Sequence, residues 1–302
     1  MAKFCVVVGA TLPLGALLTR RLVAQGRAVR ALVLNVERAQ SILPESVSLV
    51  EIEPTNTSIQ DGCEGATVIF DLFEPSSIKQ QKVAAETASA VLLAGIRNRA
   101  KVIIASHLFL SEKDNRALEK EAMATHWSNF AKVVVARFPQ IYGPEVKSPL
   151  LNRVFEEVLT GNKAHWMGRL DVQRSLLLIE DAVSAIEELE KNDSAFGYIW
   201  NIAGPSTLSG KAFIDLAFSA AGRKGTAGVW GRGIMLTARL IDSKAKGFLD
   251  IPYDYYSSFV IDGSPFTQAF PSFAFTPNEV AVRSNLEWYR AQMQRGLVGP
   301  TL

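Results

Sequence analysis

Apolar residues in the first half of the chain come in short unbroken runs: FCVVV (4–8), AVRALV (28–33), VSLVEI (47–52), TVIFDL (67–72), KVIIAS (101–106) and KVVVARF (132–138). A strand covered on both faces has no polar side to show, so it reads as a continuous β-branched run rather than as an alternation. Segments of helical period lie between the runs. In the first of them Leu17, Leu18, Leu22 and Val23 share one face, Arg20 and Arg21 another, and Gly26 supplies the stop. Strands and helices in regular succession predict right-handed crossovers, hence an α/β fold built on a doubly wound parallel sheet of Rossmann-like type. A nucleotide is then expected at the amino end of the first helix.

After about residue 145 the pattern changes. Helices are predicted in PLLNRVFEEVLTG (149–161), LLLIEDAVSAIEELEK (176–191), SGKAFIDLAFSAAG (209–222) and NEVAVRSNLEWYRAQM (278–293), with a strand in YIWNIAG (198–204). The glycine-rich GRKGTAGVWGRG (222–233) reads as a loop. The expected organisation is a dinucleotide-binding domain over 1–145, its sheet completed by later segments, and a smaller α/β C-terminal substrate lobe making up most of 146–302 and lying over the carboxyl edge of the sheet.

Composition narrows the function. Thirty-two Lys and Arg against thirty Asp and Glu leave a formal charge of +2, and no basic run is dense enough for a nucleic-acid footprint. Cys5 and Cys63 make neither a disulfide framework nor a zinc site, and three scattered histidines, His107, His126 and His165, make no metal pattern. No signal-peptide pattern and no apolar stretch of spanning length is present, so the expectation is a cytoplasmic protein with no membrane and no metal.

The opening turn carries the chemistry. In GATLPLG (9–15) the outer glycines, Gly9 and Gly15, are present, while the middle position holds Leu12, followed by Pro13. With this turn, RFPQIYGP (137–144), RSLLLIEDAVSAI (174–186), WNIAG (200–204) and LEWYR (286–290) appear in order over nearly the whole length. In these stretches the chain resembles the extended short-chain dehydrogenase/reductase family, the nucleotide-sugar epimerases, dehydratases and related reductases.

The resemblance implies a nicotinamide dinucleotide with Gly9, Thr11, Leu12 and Gly15 along its pyrophosphate. A side chain at Leu12 weakens that contact; the other reading is a tight turn that needs its glycines only for backbone geometry. At the end of the second strand Asn35 replaces the acid expected for NAD, and Arg38, with Arg30 as a second arginine, gives a weak preference for NADP; both arginines as solvated surface charges is the alternative. Glu53 stands near the expected adenine position. Phe73 and Glu74 replace small residues against the cofactor.

The family's Tyr-x-x-x-Lys pair is incomplete. Lys120 aligns with the lysine that holds the nicotinamide ribose, but the tyrosine's place is taken by Arg116, and all six tyrosines of the chain lie at or beyond Tyr142. Arginine stays charged and cannot serve as acid or base, though Arg116 and Lys120, four residues apart on a helix, could clamp an anion. The bland alternative is a solvated face balanced by Glu119 and Glu121. Ser106 or His107 stands where relatives contact the substrate carbonyl, and alternation along a strand lets only one of them face the site. In the lobe, Tyr142 lies in the family's YGP stretch, Arg174 aligns with a phosphate-binding arginine, and Trp166 and Met167 fall in the stretch that lines the pocket; packing is the other reading for Trp166 and the favoured one for Met167.

Two functions follow. One is a divergent NAD(P)-binding oxidoreductase or epimerase-like enzyme for a small anionic carbonyl or hydroxyl substrate, with NADP preferred to NAD. The other is a non-catalytic nucleotide-sensing regulator or scaffold, in which the cofactor can be absent altogether. A homodimer through the helices beside the fourth and fifth strands stands beside a monomer as an expectation.

Overall fold

The structure, a computed structural model, describes residues 3–53, 56–73, 78–107, 112–146, 148–230 and 256–296. In chain order the first elements are β1 (Phe4–Val8), α1 (Pro13–Ala24), β2 (Ala28–Val33), α2 (Val36–Gln40), β3 (Ser48–Glu51), α3 (Asn56–Gly62), β4 (Val68–Asp71), α4 (Ile78–Asn98), β5 (Lys101–His107), α5 (Glu112–Trp127) and β6 (Lys132–Phe138). They are followed by β7 (Gln140–Tyr142), α6 (Pro149–Thr160), β8 (Lys163–Met167), β9 (Gln173–Arg174), β10 (Leu176–Leu178), α7 (Ile179–Lys191), β11 (Ile199–Asn201), β12 (Leu208–Ser209), α8 (Gly210–Ala220), β13 (Thr226–Trp230), α9 (Ser264–Ala269) and α10 (Asn278–Gln294). The chain divides into two compact units, Met1–Phe138 with Ala182–Ile202, and Pro139–Asp181 with Ala203–Leu302.

The first unit is built on a seven-stranded sheet in the order β11-β6-β5-β4-β1-β2-β3, with every neighbouring pair parallel. Its inner strands are apolar through their middles because both faces are covered there, with polar residues at their ends. On one face Val6, Val8, Ile69, Val102, Ile104, Val133 and Val135 form a core with Ile59, Cys63, Ala90, Val91, Ala94 and Ala122 from α3 and the turn after it, α4 and α5. By alternation Val7, Phe70, Ile103 and Val134 point to the other face and are fully buried, as are Leu18 and Leu22 of α1. Burying each such side chain contributes about 1.5–3 kcal/mol.

The outward side of α1 is held by charge. Arg21 Nη1 donates to Ser184 Oγ at 2.8 Å and to Glu187 Oε2 at 3.2 Å, and Gln25 Nε2 donates to Glu187 Oε1 at 2.6 Å. Arg27 forks onto both oxygens of Glu190 at 3.1 and 3.2 Å. These pairs join the end of α1 and the turn before β2 to the later half of α7, which returns from a distant part of the sequence to the amino-terminal fold.

The second unit packs around Tyr142, Leu151, Phe155, Trp166, Phe213, Leu286 and Tyr289. Two sequence expectations are corrected here. Residues 176–178, read as the start of a helix, form β10, parallel to β7, because a triple-leucine run fits a covered strand as well as a helix turn and only a partner decides. The glycine-rich stretch read as a loop contains β13, whose five residues pair with all five of β8; residues 231–233 of that stretch lie outside the described residues.

Candidate functional site

Strand order in the first unit reverses between β1 and β4: from β1 the chain builds outward through β2 and β3, then crosses back to β4, β5 and β6. In open parallel sheets such a reversal leaves a crevice at the carboxyl ends of the two strands, where ligands bind. The residue that closes β1 is Gly9, in the left-handed region at φ 77°. A Cβ there would stand 2.6 Å from the Leu72 carbonyl oxygen, and one at Gly15 would stand 2.3 Å from the Gly9 carbonyl oxygen. Both glycines are therefore required by backbone packed on backbone, before any ligand is considered.

The same turn sets the supply of hydrogen-bond donors. A helix leaves four N–H groups at its start without intrahelical partners. In α1 these belong to the cap Leu12, then Pro13, Leu14 and Gly15. Leu12 N–H donates to Gly9 O at 2.9 Å, and proline has no N–H. Two of the four are withdrawn. The amides of Leu14 and Gly15, at the positive end of a twelve-residue helix, fit a phosphate, with half the usual donors. Thr11 and Leu12 are half-buried beside them.

At the end of β2, Asn35 caps α2, its Oδ1 accepting the Arg38 N–H at 2.7 Å. The side chains of Asn35 and Arg38 are exposed, and Leu34 beside them is 62 % exposed. Arg30 is placed elsewhere: it donates to the carbonyls of Gly62 at 2.9 Å and Glu64 at 3.1 Å and lies 4.3 Å over the Phe4 ring, tying β2 to the end of α3. Glu53 is exposed, and its N–H donates to Ser58 Oγ at 3.2 Å. A cavity of about 480 Å³ lined by Arg30, Glu51, Ile52, Ser58, Asp61 and Glu64 opens beside β3 and α3. Three carboxylates in its wall make it a poor seat for a pyrophosphate, and the strand reversal remains the better site.

A group that sequence reasoning passed over closes β4. Asp71 is 4 % exposed, in register with Val8 of β1 and Ile104 of β5, and its Oδ1 accepts the Phe73 N–H at 3.3 Å. Burial pushes its carboxyl up to about 7, against the smaller opposing effect of that N–H. Within an apolar run it read as part of a strand; the signal was an acid at the carboxyl end of a strand that is otherwise wholly apolar. Phe73 is half-buried next to it, while Glu74 and the side chain of His107 lie outside the described residues.

At the ends of β5 and β6 the structure joins three polar residues. Ser106 and Arg137 are register partners, and Glu119 of α5 reaches both. Arg137 Nε donates to Glu119 Oε1 at 2.6 Å and Nη2 donates to Oε2, while Ser106 Oγ lies at 3.5 Å from Oε1. Ser106 and Glu119 are both 3 % exposed. Ser106 therefore turns toward α5. Glu119 is turned inward to Arg137, and the exposed Glu121 accepts from Ser89 Oγ at 2.8 Å. Arg116 and Lys120 are exposed.

In the second unit Tyr142 is buried with its ring edge-on to Phe213 at 5.7 Å, and burial, then the Asp181 and Glu180 charges, raise its phenol well above the usual range. Trp166 lies in the same core, 5.7 Å from Phe213, and Met167 is buried beside it. Arg174 is 1 % exposed. Its Nη1 donates to Ser257 O at 3.3 Å, and the segment around Phe259 runs along β9, with Ser175 N–H to Phe259 O at 2.8 Å and Phe259 N–H to Gln173 O at 2.9 Å. Among the described residues no group of three or more His, Cys, Asp or Glu is arranged to hold a metal, and no helix is long and apolar enough to cross a membrane.

No protein-family model matches the sequence, and no curated protein matches it by sequence. Solved structures do match the fold. The UDP-glucuronic acid 4-epimerase of Bacillus cereus, in complex with NAD, superposes with a TM-score of 0.72 at 15 % identity, over 96 % of this chain and 99 % of that one. The fold is Rossmann-like and matches those of solved epimerase and dehydratase structures. The UDP-glucose 4-epimerase of Thermotoga maritima, with UDP-glucose, gives 0.73 at 14 % identity over 96 % and 99 %. The dTDP-glucose 4,6-dehydratase of Bacillus anthracis, with NAD, gives 0.76 at 14 % identity over 99 % and 100 %.

Two stability outcomes follow from this geometry. Gly9→Ala, with a backbone oxygen in the way, costs about 3 kcal/mol or more in urea unfolding, whereas Gly26→Ala, whose added Cβ meets nothing within 4 Å, costs about 1 kcal/mol for its positive φ alone. Glu119→Gln leaves the Arg137 guanidinium without its counter-charge and costs about 2–3 kcal/mol, while Ser106→Ala, losing only a long contact, costs under about 1 kcal/mol. Equal losses for the second pair of variants would contradict the assignment of Glu119 to Arg137.

Proposed function

We propose that this chain is a divergent NAD(P)-binding oxidoreductase or epimerase-like enzyme that acts on a small, anionic carbonyl or hydroxyl substrate without a tyrosine acid/base. The observation that carries this reading is the strand reversal at β1 and β4, with the left-handed Gly9 and the start of α1 beside the exit of β4. The nucleotide-sugar epimerases and dehydratase that share the fold support it, two of them described with NAD.

In this reading Leu14 and Gly15 donate their amides to the pyrophosphate, with Gly9, Thr11, Leu12 and Phe73 around it. Asn35 and Arg38 meet the adenosine ribose and a 2′-phosphate, which favours NADP, and Glu53 lies toward the adenine. The bound nicotinamide supplies a hydride donor or acceptor. Lys120 holds the nicotinamide ribose. Ser106 faces α5, so the role of proton donor to the carbonyl oxygen falls to His107 in this reading. Arg116 grips the anionic group, and Tyr142, Trp166 and Arg174 belong to the substrate lobe. Orientation and one proton source are enough for slow hydride transfer.

One observation favours a second reading, a non-catalytic nucleotide sensor or scaffold: two of the four donors at the start of α1 are withdrawn. Nicotinamide fluorescence separates the two. Titration with NADPH is expected to give micromolar binding, stronger than with NADH, and Leu12→Gly is expected to tighten it about tenfold, ~1.4 kcal/mol. Lys120→Ala weakens binding with unchanged thermal stability, and His107→Ala removes turnover while leaving binding in place. Absence of binding at millimolar NADPH, in wild type and in Leu12→Gly alike, rejects the enzyme.

A further inference from the structure

Asp71 is, among the described residues, a buried carboxyl at the strand reversal to which the proposed chemistry assigns no role. Three features connect it to the turn after β1. Its register neighbour on β1 is Val8, the residue before Gly9. The N–H it accepts belongs to Phe73, and that nitrogen is 3.0 Å from where a Gly9 Cβ would stand. The Leu72 carbonyl between them is the group that excludes any side chain at Gly9. One peptide unit thus lies between the carboxyl of Asp71 and the turn that would receive a pyrophosphate.

Among the described residues, no ion pair or side-chain hydrogen bond to a cation is formed by this carboxyl. β1 and β5 present Val8 and Ile104, and the buried residues of α4 on this face include Ala90, Val91 and Ala94. From the turn directly after α3 comes Cys63, fully buried, its thiol pushed up to about 12 by burial first and by the Asp71 charge second. Arg30 of β2 acts on Cys63 in the opposite sense, but its guanidinium is spent on Gly62 and Glu64 carbonyls and on the Phe4 ring. Cys63 stays a thiol throughout the neutral range. Asp71 is the group here that changes charge near pH 7.

We propose that Asp71 is a proton site coupled to the nucleotide turn, so that a dinucleotide binds more tightly when this carboxyl is neutral and takes up a proton there as it binds. The inference rests on the dinucleotide reading of the strand reversal. A carboxylate in a water-poor sheet end repels a pyrophosphate on the far side of one peptide unit, and linkage requires that the anion in turn favours the protonated acid. Binding therefore weakens as pH rises through about 7.

Stability carries the same proton without any ligand. Because the folded carboxyl binds its proton more strongly than the unfolded one, the stability Asp71 contributes is present at low pH and is lost as pH rises through about 7. Asp71→Asn keeps the shape and an oxygen for the Phe73 N–H while removing the charge. The unliganded variant is expected to exceed wild type in melting temperature by more at about pH 8 than at about pH 5. NADPH affinity of the wild type should fall roughly three- to tenfold from about pH 6 to pH 8 relative to Asp71→Asn. The 2′-phosphate titrates alike with both proteins, so only the difference between them reports Asp71. Binding with parallel pH profiles in the two proteins overturns the coupling alone. A stability difference of the expected sign with no NADPH binding at any pH overturns the dinucleotide reading, and the coupling with it. Equal melting differences at the two pH values overturn the proton site itself.

Discussion

Backbone lies on backbone where β1 ends. Neither Gly9 nor Gly15 has room for a single carbon, one because of the Leu72 carbonyl and the other because of the Gly9 carbonyl. That contact fixes the start of α1 against the exit of β4, at the one place where the strand order reverses. Both glycines are therefore needed by the backbone, whatever the position between them, Leu12, can hold. The outer two serve the turn itself, and Leu12 between them is half-buried.

The loss at that turn is chemical rather than steric alone. A helix start binds anions through N–H groups that have nothing else to do. Here proline removes one and a β-turn hydrogen bond uses another. The positive end of the helix dipole survives, so attraction for an anion remains while directional contact is halved. Around it, acidic rather than phenolic groups occupy the sheet's carboxyl edge. Glu119 is neutralised by a forked arginine and braces α5 against β5 and β6. Asp71 has no such partner among the described residues, and its strand neighbours are Val8 and Ile104.

Much of the architecture was legible because burial on two faces writes itself into composition. The runs at 4–8, 28–33 and 132–138 coincide with β1, β2 and β6, and helix–strand alternation led to the parallel sheet. The candidate site was legible at Gly9 and Gly15, whose spacing marks a strand-to-helix turn, and in the absence of any tyrosine before Tyr142. It was not legible at Asp71, at Glu119 or in β13. Glycine-rich composition says loop until β8 supplies a register, and a glutamate beside a lysine says solvated face until Arg137 arrives from the next strand.

The sequence by itself determined the kind of layers, the order of strands and helices through the first half, and the chemical inventory at each strand end. Those depend on periodicity and residue type, which are local. Tertiary structure decided which acids are charged, which glycines the backbone needs, and which arginines are committed: Arg30 to Gly62 and Glu64 carbonyls, Arg27 to Glu190, Arg137 to Glu119. Ionisation and pairing are set by neighbours that lie tens to more than a hundred residues away along the chain, and no local pattern carries that information.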